Sequence, residues 1–493
     1  MMSMVRAGTG AALAPKIVVC VLLLVAAADF LFFDGGVGWT LGLYGLMLLT
    51  SAAIHNPALL AHRRGKAFFL LGAGTCLALV ESLNALALAL FALCFGALLG
   101  DLRLQDTAAT VFRKLAALTL HIGGGSVVSD AYAYSRYYRR TQQIGVVPGL
   151  VRAWLLPLSL SAVFAVLFAA ANPVIDKWII SLDLRAVERL LTPERVGFWC
   201  IAAAMCWGVL RSGRMRAGVL KLPAEAPGAS RLTTLLFSRE AVLRSLALFN
   251  LMFLGQNLLD ANFLWAGGTL PEGVTYAEYA HRGAYPLVLT ALLAAAFVLI
   301  AMRRASALDQ DRAIRWLIYL WLLQNMVLVF ASIWRTNIYV AEYSLTYLRL
   351  SALLWMGLVL LGLIYIVLKI VLAKSSRWLI GVNLATAFAL LYATCFVDLG
   401  RTIADYNVAH CREMQGSGYA LDVAYLWRIG PSALPAMRRL ERHMTEQNLP
   451  RPLHLDWTIE LVARTLEGEV ADWRRWTFRA YRLTRELAMP RTI

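Results

Sequence analysis

The sequence predicts an all-α polytopic helical membrane protein: about eleven spans, followed by a helical tail on the far side of the bilayer. Two observations carry this expectation. Of 493 residues, 60% are apolar and 16% charged, with a mean hydropathy of +0.63, where a soluble chain has roughly 45–50% apolar and about 25% charged residues. The apolar residues also gather into runs that approach the ~20 residues a spanning helix needs, and these runs stop at residue 397. A soluble globular protein, a disordered chain and a collagen-like or disulfide-stapled one are thereby excluded.

Eleven apolar cores follow in order: 17–33, 39–54, 67–80, 85–99, 153–175, 196–210, 246–264, 285–302, 316–334, 351–372 and 378–397. Many begin or end on Trp, Tyr or Phe, residues that anchor helix ends at the membrane–water interface. The first resembles a signal peptide in having Arg6 and Lys16 ahead of it and Ala26-Ala27-Ala28 within it. Its apolar character runs on to Phe33, which favours a retained span. The third and fourth are separated by Glu81-Ser82-Leu83-Asn84. As one helix, 67–99 would be about 50 Å long, too long for a hydrocarbon layer of about 30 Å. As two, the cores form a tight hairpin.

Charge placement supports two helices. With the N-terminus cytoplasmic, eleven crossings put 26 of the 47 basic residues in inner segments and 7 in outer loops, the other 14 lying in the tail. Merging the hairpin would throw the seven basic residues of 103–152 outside, against the tendency of Lys and Arg to stay on the cytoplasmic side. The net charge of +17 is therefore read as orientation, not as nucleic-acid binding, since no basic stretch carries the interleaved aromatics of a binding module. Six cysteines (Cys20, Cys76, Cys94, Cys200, Cys206 and Cys395) lie in apolar runs and only Cys411 in a polar one. No disulfide framework, Cys-x-x-Cys metal site or cofactor is expected.

The chain divides into a spanning part, 1–397, and a tail, 398–493, which is extracytoplasmic by parity. The tail holds 14 Arg, no Lys and 12 acids. A helix over 421–429 should end at Gly430-Pro431, with Ser432 capping the next helix and Pro435 in its first turn. Trp473, Trp476, Ala480, Leu483 and Leu487 recur at spacings of 3, 4, 3 and 4, which predicts one amphipathic helix facing a small helical core or, with Arg474, Arg475, Arg479 and Arg482 mostly off the stripe, lying on the outer leaflet.

The usual catalytic signatures are missing: no phosphate-binding glycine loop, no His-Glu-x-x-His and no Gly-x-Ser-x-Gly. Asp309-Gln310-Asp311 reads as solvated charge in a basic loop, and Gly123-Gly124-Gly125-Ser126 as a flexible turn. The informative feature is polarity inside or just outside the apolar cores. Asn250, Gln256, Asn257 and Asp260 fall largely on one face of the seventh core, and Gln324-Asn325 lies near the middle of the ninth. Polar groups there either join helices by hydrogen bonds or line a functional interior.

Two outer segments extend the pattern. Thr275 and Glu278 form a capping box, and Glu278 pairs with Arg282 at i,i+4 beside Tyr276, Tyr279 and His281. Arg335, Tyr339, Glu342, Thr346 and Arg349 follow at spacings of 4, 3, 4 and 3, one helical face. Such a face can grip an anionic group through arginine, or lock helices together through an ion-pair lattice.

The stretch 269–283, TLPEGVTYAEYAHRG, resembles the signature of a bacterial multi-pass membrane family catalogued as a domain of unknown function. Trp334-Arg335, Tyr347-Leu348-Arg349 and Asp472-Trp473-Arg474 are similar to further blocks of it. The resemblance covers most of 85–478 and implies a bacterial cytoplasmic-membrane protein without implying an activity. An outer-facing pocket is expected from Asp260, Asn257, Tyr276, Glu278, Tyr279, His281, Arg282, Arg335, Tyr339, Glu342 and Arg349. Its expected partner, besides the bilayer, is an envelope lipid or small anionic ligand, in a binding or signalling role. An envelope-modifying enzyme with Glu278 or His281 as base is the alternative, and a transporter the third.

Overall fold

A computed structural model describes residues 14–103, 106, 108–141, 192–213, 239–265 and 311–488, with isolated helical positions at 157, 161 and 293. Every described element is helical. Five described helices, spanning Pro15–Phe32, Val242–Asn262, Arg312–Tyr343, Tyr347–Val371 and Ser376–Phe396, are long and apolar enough to cross a membrane. The chain is a helical membrane protein.

The first compact unit comprises residues up to Pro223 together with Asp472–Phe478. Its helices are α1 (Ala14–Phe32), α2 (Trp39–His55), α3 (Arg63–Glu81), α4 (Ala85–Gly100), α5 (Ala108–Leu120), α6 (Ser126–Thr141) and α7 (Pro193–Leu210). The hairpin expected at 67–99 is present as α3 and α4. The α3 helix ends at Ser82 in extended backbone, and Asn84 caps α4 by accepting the Ala87 N–H at 2.7 Å. Gly42 lets α2 lie against the α3 backbone at Cys76, where a side chain would collide. Leu49, Ala52, Leu98, Leu99, Leu118 and Val209 close the core between these helices.

Gly123–Gly125 is not a loose turn. It forms a kink within His121–Gly125 that joins α5 to α6, where Gly124 leaves helical geometry at φ +118°. Gly208 of α7 packs on it, because a Cβ there would stand 2.5 Å from the Ile122 Cα.

The expected amphipathic helix from Trp473 onward is corrected in the same unit. Helix begins only at Phe478, and 472–477 is a turn that returns to the α1–α2 connection. The Trp39 N–H donates to the Trp476 carbonyl at 2.9 Å, and the Trp39 indole to the Trp473 carbonyl at 2.7 Å. The Arg474 guanidinium donates twice to the Phe30 carbonyl, at 2.9 and 3.1 Å. Periodicity misled here because the two tryptophans are spent on this docking and only Ala480 and Leu483 are buried in the helix core.

The second unit comprises Ala224–Ala471 and the chain from Arg479 on. Its membrane-length helices are α8 (Arg239–Trp265), α9 (Arg312–Tyr343), α10 (Tyr347–Val371) and α11 (Ser376–Phe396). Asp311 is not merely solvated charge: it caps α9 through the Ala313 and Ile314 N–H groups and pairs with Arg239 at 2.6 Å. That guanidinium, with help from the two N–H groups, holds its carboxyl below the ordinary range.

After Val397 come α12 (Leu399–Ala409), α13 (Arg412–Gln415), α14 (Val423–Ile429), α15 (Leu434–Glu446), α16 (Leu455–Ala471) and α17 (Phe478–Ala488). Ala404, Leu426, Met437, Leu440, Ile459, Val462 and Leu483 build one apolar core among them. Gly430 ends α14 at φ +78°, and Pro435 sits in the first turn of α15, both as expected. Ser432 does not cap α15. It lies in a 3-10 turn and donates to Asp398 at 2.8 Å, while Asp398 itself caps α12. The tail helices meet the α9–α10 turn through Asn407, whose side-chain amide exchanges two hydrogen bonds with the Leu345 backbone at 2.6 and 2.8 Å.

Candidate functional site

The α8 helix is apolar enough to sit in lipid, yet one of its faces carries four polar side chains, and that face meets α9. Asn250 donates to the Leu317 carbonyl at 3.1 Å, and Asn257 to the Gln324 carbonyl at 3.2 Å. Both bonds join residues 67 apart, one heptad up the helix from each other, so α8 and α9 run parallel. Gln324 returns a bond to the Asn250 side-chain oxygen at 3.0 Å. In hydrocarbon an unmet amide costs several kcal/mol, so each of these bonds favours one register over any slip.

The seam ends in a charge pair. Asp260, 3% exposed, and Arg335, 7% exposed, meet at 3.0 Å. Gln256, one turn below Asp260, donates to its other carboxylate oxygen at 3.1 Å. The carboxylate is thus held from both sides, and the guanidinium is directed into the protein instead of toward solvent. Above and below, Ser332 and Thr336 return their hydroxyls to carbonyls of their own helix. Trp321 packs against Phe249 and Phe253, at ring distances of 5.2 and 5.8 Å.

The side-chain oxygens of Asn257, Gln324 and Asn325 are buried without a hydrogen-bond donor among the described residues. Asn325 is fully buried and donates only to the Trp321 carbonyl of its own helix, at 2.7 Å.

Of the expected pocket residues, the structure brings Asn257, Asp260 and Arg335 to this one seam. Tyr276, Glu278, Tyr279, His281 and Arg282, including the expected Glu278–Arg282 pair, lie outside the described residues. The expected continuous face from Arg335 to Arg349 is broken. Ser344 at φ +70° ends α9, and Thr346 in extended backbone caps α10, so Arg349 stands on a new helix. Arg349 folds back across the turn, its guanidinium 4.0 Å from the Tyr339 ring centre, and donates to the carbonyls of Tyr343, at 2.5 Å, and Ser344. Tyr339 is half-buried under it and Glu342 is exposed.

A second acid, partly buried, escaped the sequence reading. Asp29, inside the first apolar core, accepts the Arg195 Nε–H at 2.7 Å and the Trp199 indole at 2.8 Å, with Arg195 against the Phe33 ring. The same argument that singled out Asp260, an acid within an apolar run, applied to it.

A family model described as a domain of unknown function (DUF4153) matches residues 17–440. That is most of the chain, so the chain belongs to this family. The match starts before the resembling blocks and ends short of Asp472-Trp473-Arg474. No curated protein and no solved structure matches the chain.

Proposed function

We propose that this DUF4153 member is a multi-span protein of a bacterial cytoplasmic membrane that binds an envelope lipid or small anionic ligand at the outer end of the α8–α9 seam. In this reading it acts as a binding or signalling component and not as a catalyst. The observation that carries the proposal is the buried Asp260–Arg335 pair, buttressed by Gln256. Ionisable groups at membrane depth are costly and tend to persist where function needs them. A guanidinium can exchange its carboxylate partner for an anionic head group.

The orientation proposed with it has eleven crossings, a cytoplasmic N-terminus and an extracytoplasmic tail. Three features support it. The parallel run of α8 and α9 requires the intervening chain to return across the membrane, a task that 285–302 has the composition to perform. The α1–α2 connection, assigned outside by charge, touches 472–476 of the tail. The α9–α10 turn, also assigned outside, touches Asn407.

The test is mass spectrometry of lipids and small anions that copurify with the chain. Wild-type protein should carry a specific species that the double variant Asp260→Leu with Arg335→Met lacks at equal yield. An identical lipid profile for both proteins would refute the site. A reporter fused after Ile493 tests the orientation, which fails if the fusion is active only in the cytosol.

A further inference from the structure

The tail contains a cleft that the α8–α9 seam does not reach. It lies among α15, α16 and α17, is half open, and has a volume of about 550 Å³, within the range of roughly 300–1,000 Å³ typical of small-molecule sites. Its floor is apolar, formed by Leu434, Ala463 and Leu466. Its rim carries charge of both signs. Arg438 and Arg442, one turn apart on α15, share a face, and Glu467 comes from α16.

Much of this charge is already engaged. Glu486 is held by Arg401 through two bonds, at 2.5 and 2.8 Å. Arg438 meets Glu441 at 2.9 Å. Arg442 makes a single bond, from Nε to the Arg438 carbonyl at 3.4 Å, and meets no carboxylate among the described residues. Glu467 meets no donor among them. The cleft therefore presents one open cation and one open anion beside apolar surface left accessible at Ala463 and Leu487.

We propose that this cleft binds a small zwitterion bearing an apolar group. Arg442, with Arg438 beside it, takes the carboxylate or phosphate, Glu467 takes the ammonium, and the alkyl part covers Ala463 and Leu487. A plain anion would share the cleft with Glu467, and a plain cation with two guanidinium groups. Only a ligand with both charges meets the rim without a repulsive contact. Free amino acids with apolar side chains and the head groups of ethanolamine phospholipids share this chemistry. The site is independent of Asp260 and Arg335.

The test uses the full chain in phosphatidylglycerol nanodiscs, titrated calorimetrically with leucine and, separately, with dihexanoyl-phosphatidylethanolamine. The controls are 4-methylpentanoate and isopentylamine, each with only one of leucine's charges. Saturable binding of at least one zwitterion is expected. It should weaken tenfold or more in Arg442→Gln and in Glu467→Gln, two exposed positions whose variants should unfold at the parent temperature. Either control should bind at least tenfold more weakly than leucine if leucine is bound. Binding of leucine alone identifies a free amino acid as the source, and binding of the phospholipid alone identifies a head group. The proposal is overturned if neither zwitterion saturates, if a singly charged control binds as tightly as leucine, or if both substitutions leave binding unchanged.

Discussion

Replacing Asp260 by asparagine isolates the energetic role of the buried pair. The substitution keeps the shape and an acceptor for Gln256 but leaves the Arg335 guanidinium, whose side chain is 6% exposed, with its charge uncompensated by Asp260. Two unit charges about 4 Å apart interact by about 4 kcal/mol at an effective dielectric of ~20. Breaking a buried pair from one side typically costs ~3–5 kcal/mol, because the remaining charge stays desolvated. Asp260→Asn should therefore lower the unfolding free energy by about that amount, and Arg335→Met alone by a similar amount. The double variant Asp260→Leu with Arg335→Met removes both charges and their desolvation, so it should fall within ~1 kcal/mol of the parent. Unfolding followed by tryptophan fluorescence in mixed micelles supplies the three values. Single variants as stable as the parent, or a double variant whose loss equals the sum of the singles, would refute the reasoning. A double variant that is stable but has lost its copurifying ligand separates the pair's binding role from its structural one.

Asn407→Ala removes both hydrogen bonds to the Leu345 backbone, a buried donor and a buried acceptor. A loss of ~1–3 kcal/mol per unmet group is expected by denaturant unfolding, with Asn407→Asp, which keeps the acceptor, less severe. Asn84→Ala deletes the α4 cap and should cost about 1 kcal/mol in the same assay. Gly38→Val places a Cβ 2.5 Å from the Arg475 carbonyl carbon. It should loosen the 472–476 turn and speed tryptic cleavage after Arg474 and Arg475, and an unchanged rate would show that the turn is held elsewhere. Burial pushes the Cys411 thiol up to about 11, so iodoacetamide at pH 8 should label it far more slowly in folded than in denatured protein. Because the unfolded chain gives up that proton first, near pH 8.5–9, this contribution to stability is complete below that range and lost as pH rises toward 11.

Much of the architecture was legible because lipid imposes a simple code. Run lengths marked α1, α9, α10 and α11, and the polar interruption at 81–84 marked the α3–α4 hairpin, which Asn84 then caps. Turn chemistry located Gly430 and Pro435 for the same local reason. Where a local pattern had two uses, the sequence misled. Trp473 and Trp476 continued a helical stripe in spacing but pack on Phe30 and Trp39 from a turn. Ser432 stood where a cap belongs but bonds Asp398. Arg349 completed a helical face that Ser344 interrupts.

The sequence by itself determined that the chain is helical and built for a membrane, and that Asp260 and Arg335 are unusual, because hydropathy and charge cost are properties of single segments. Only the tertiary structure decided that these two residues, 75 positions apart, are partners. That choice depends on the parallel register of α8 and α9, which is set by backbone carbonyls at Leu317 and Gln324. Every residue has a carbonyl, so none of them carries a signal in the sequence; which one an asparagine reaches is a matter of how two helices pack.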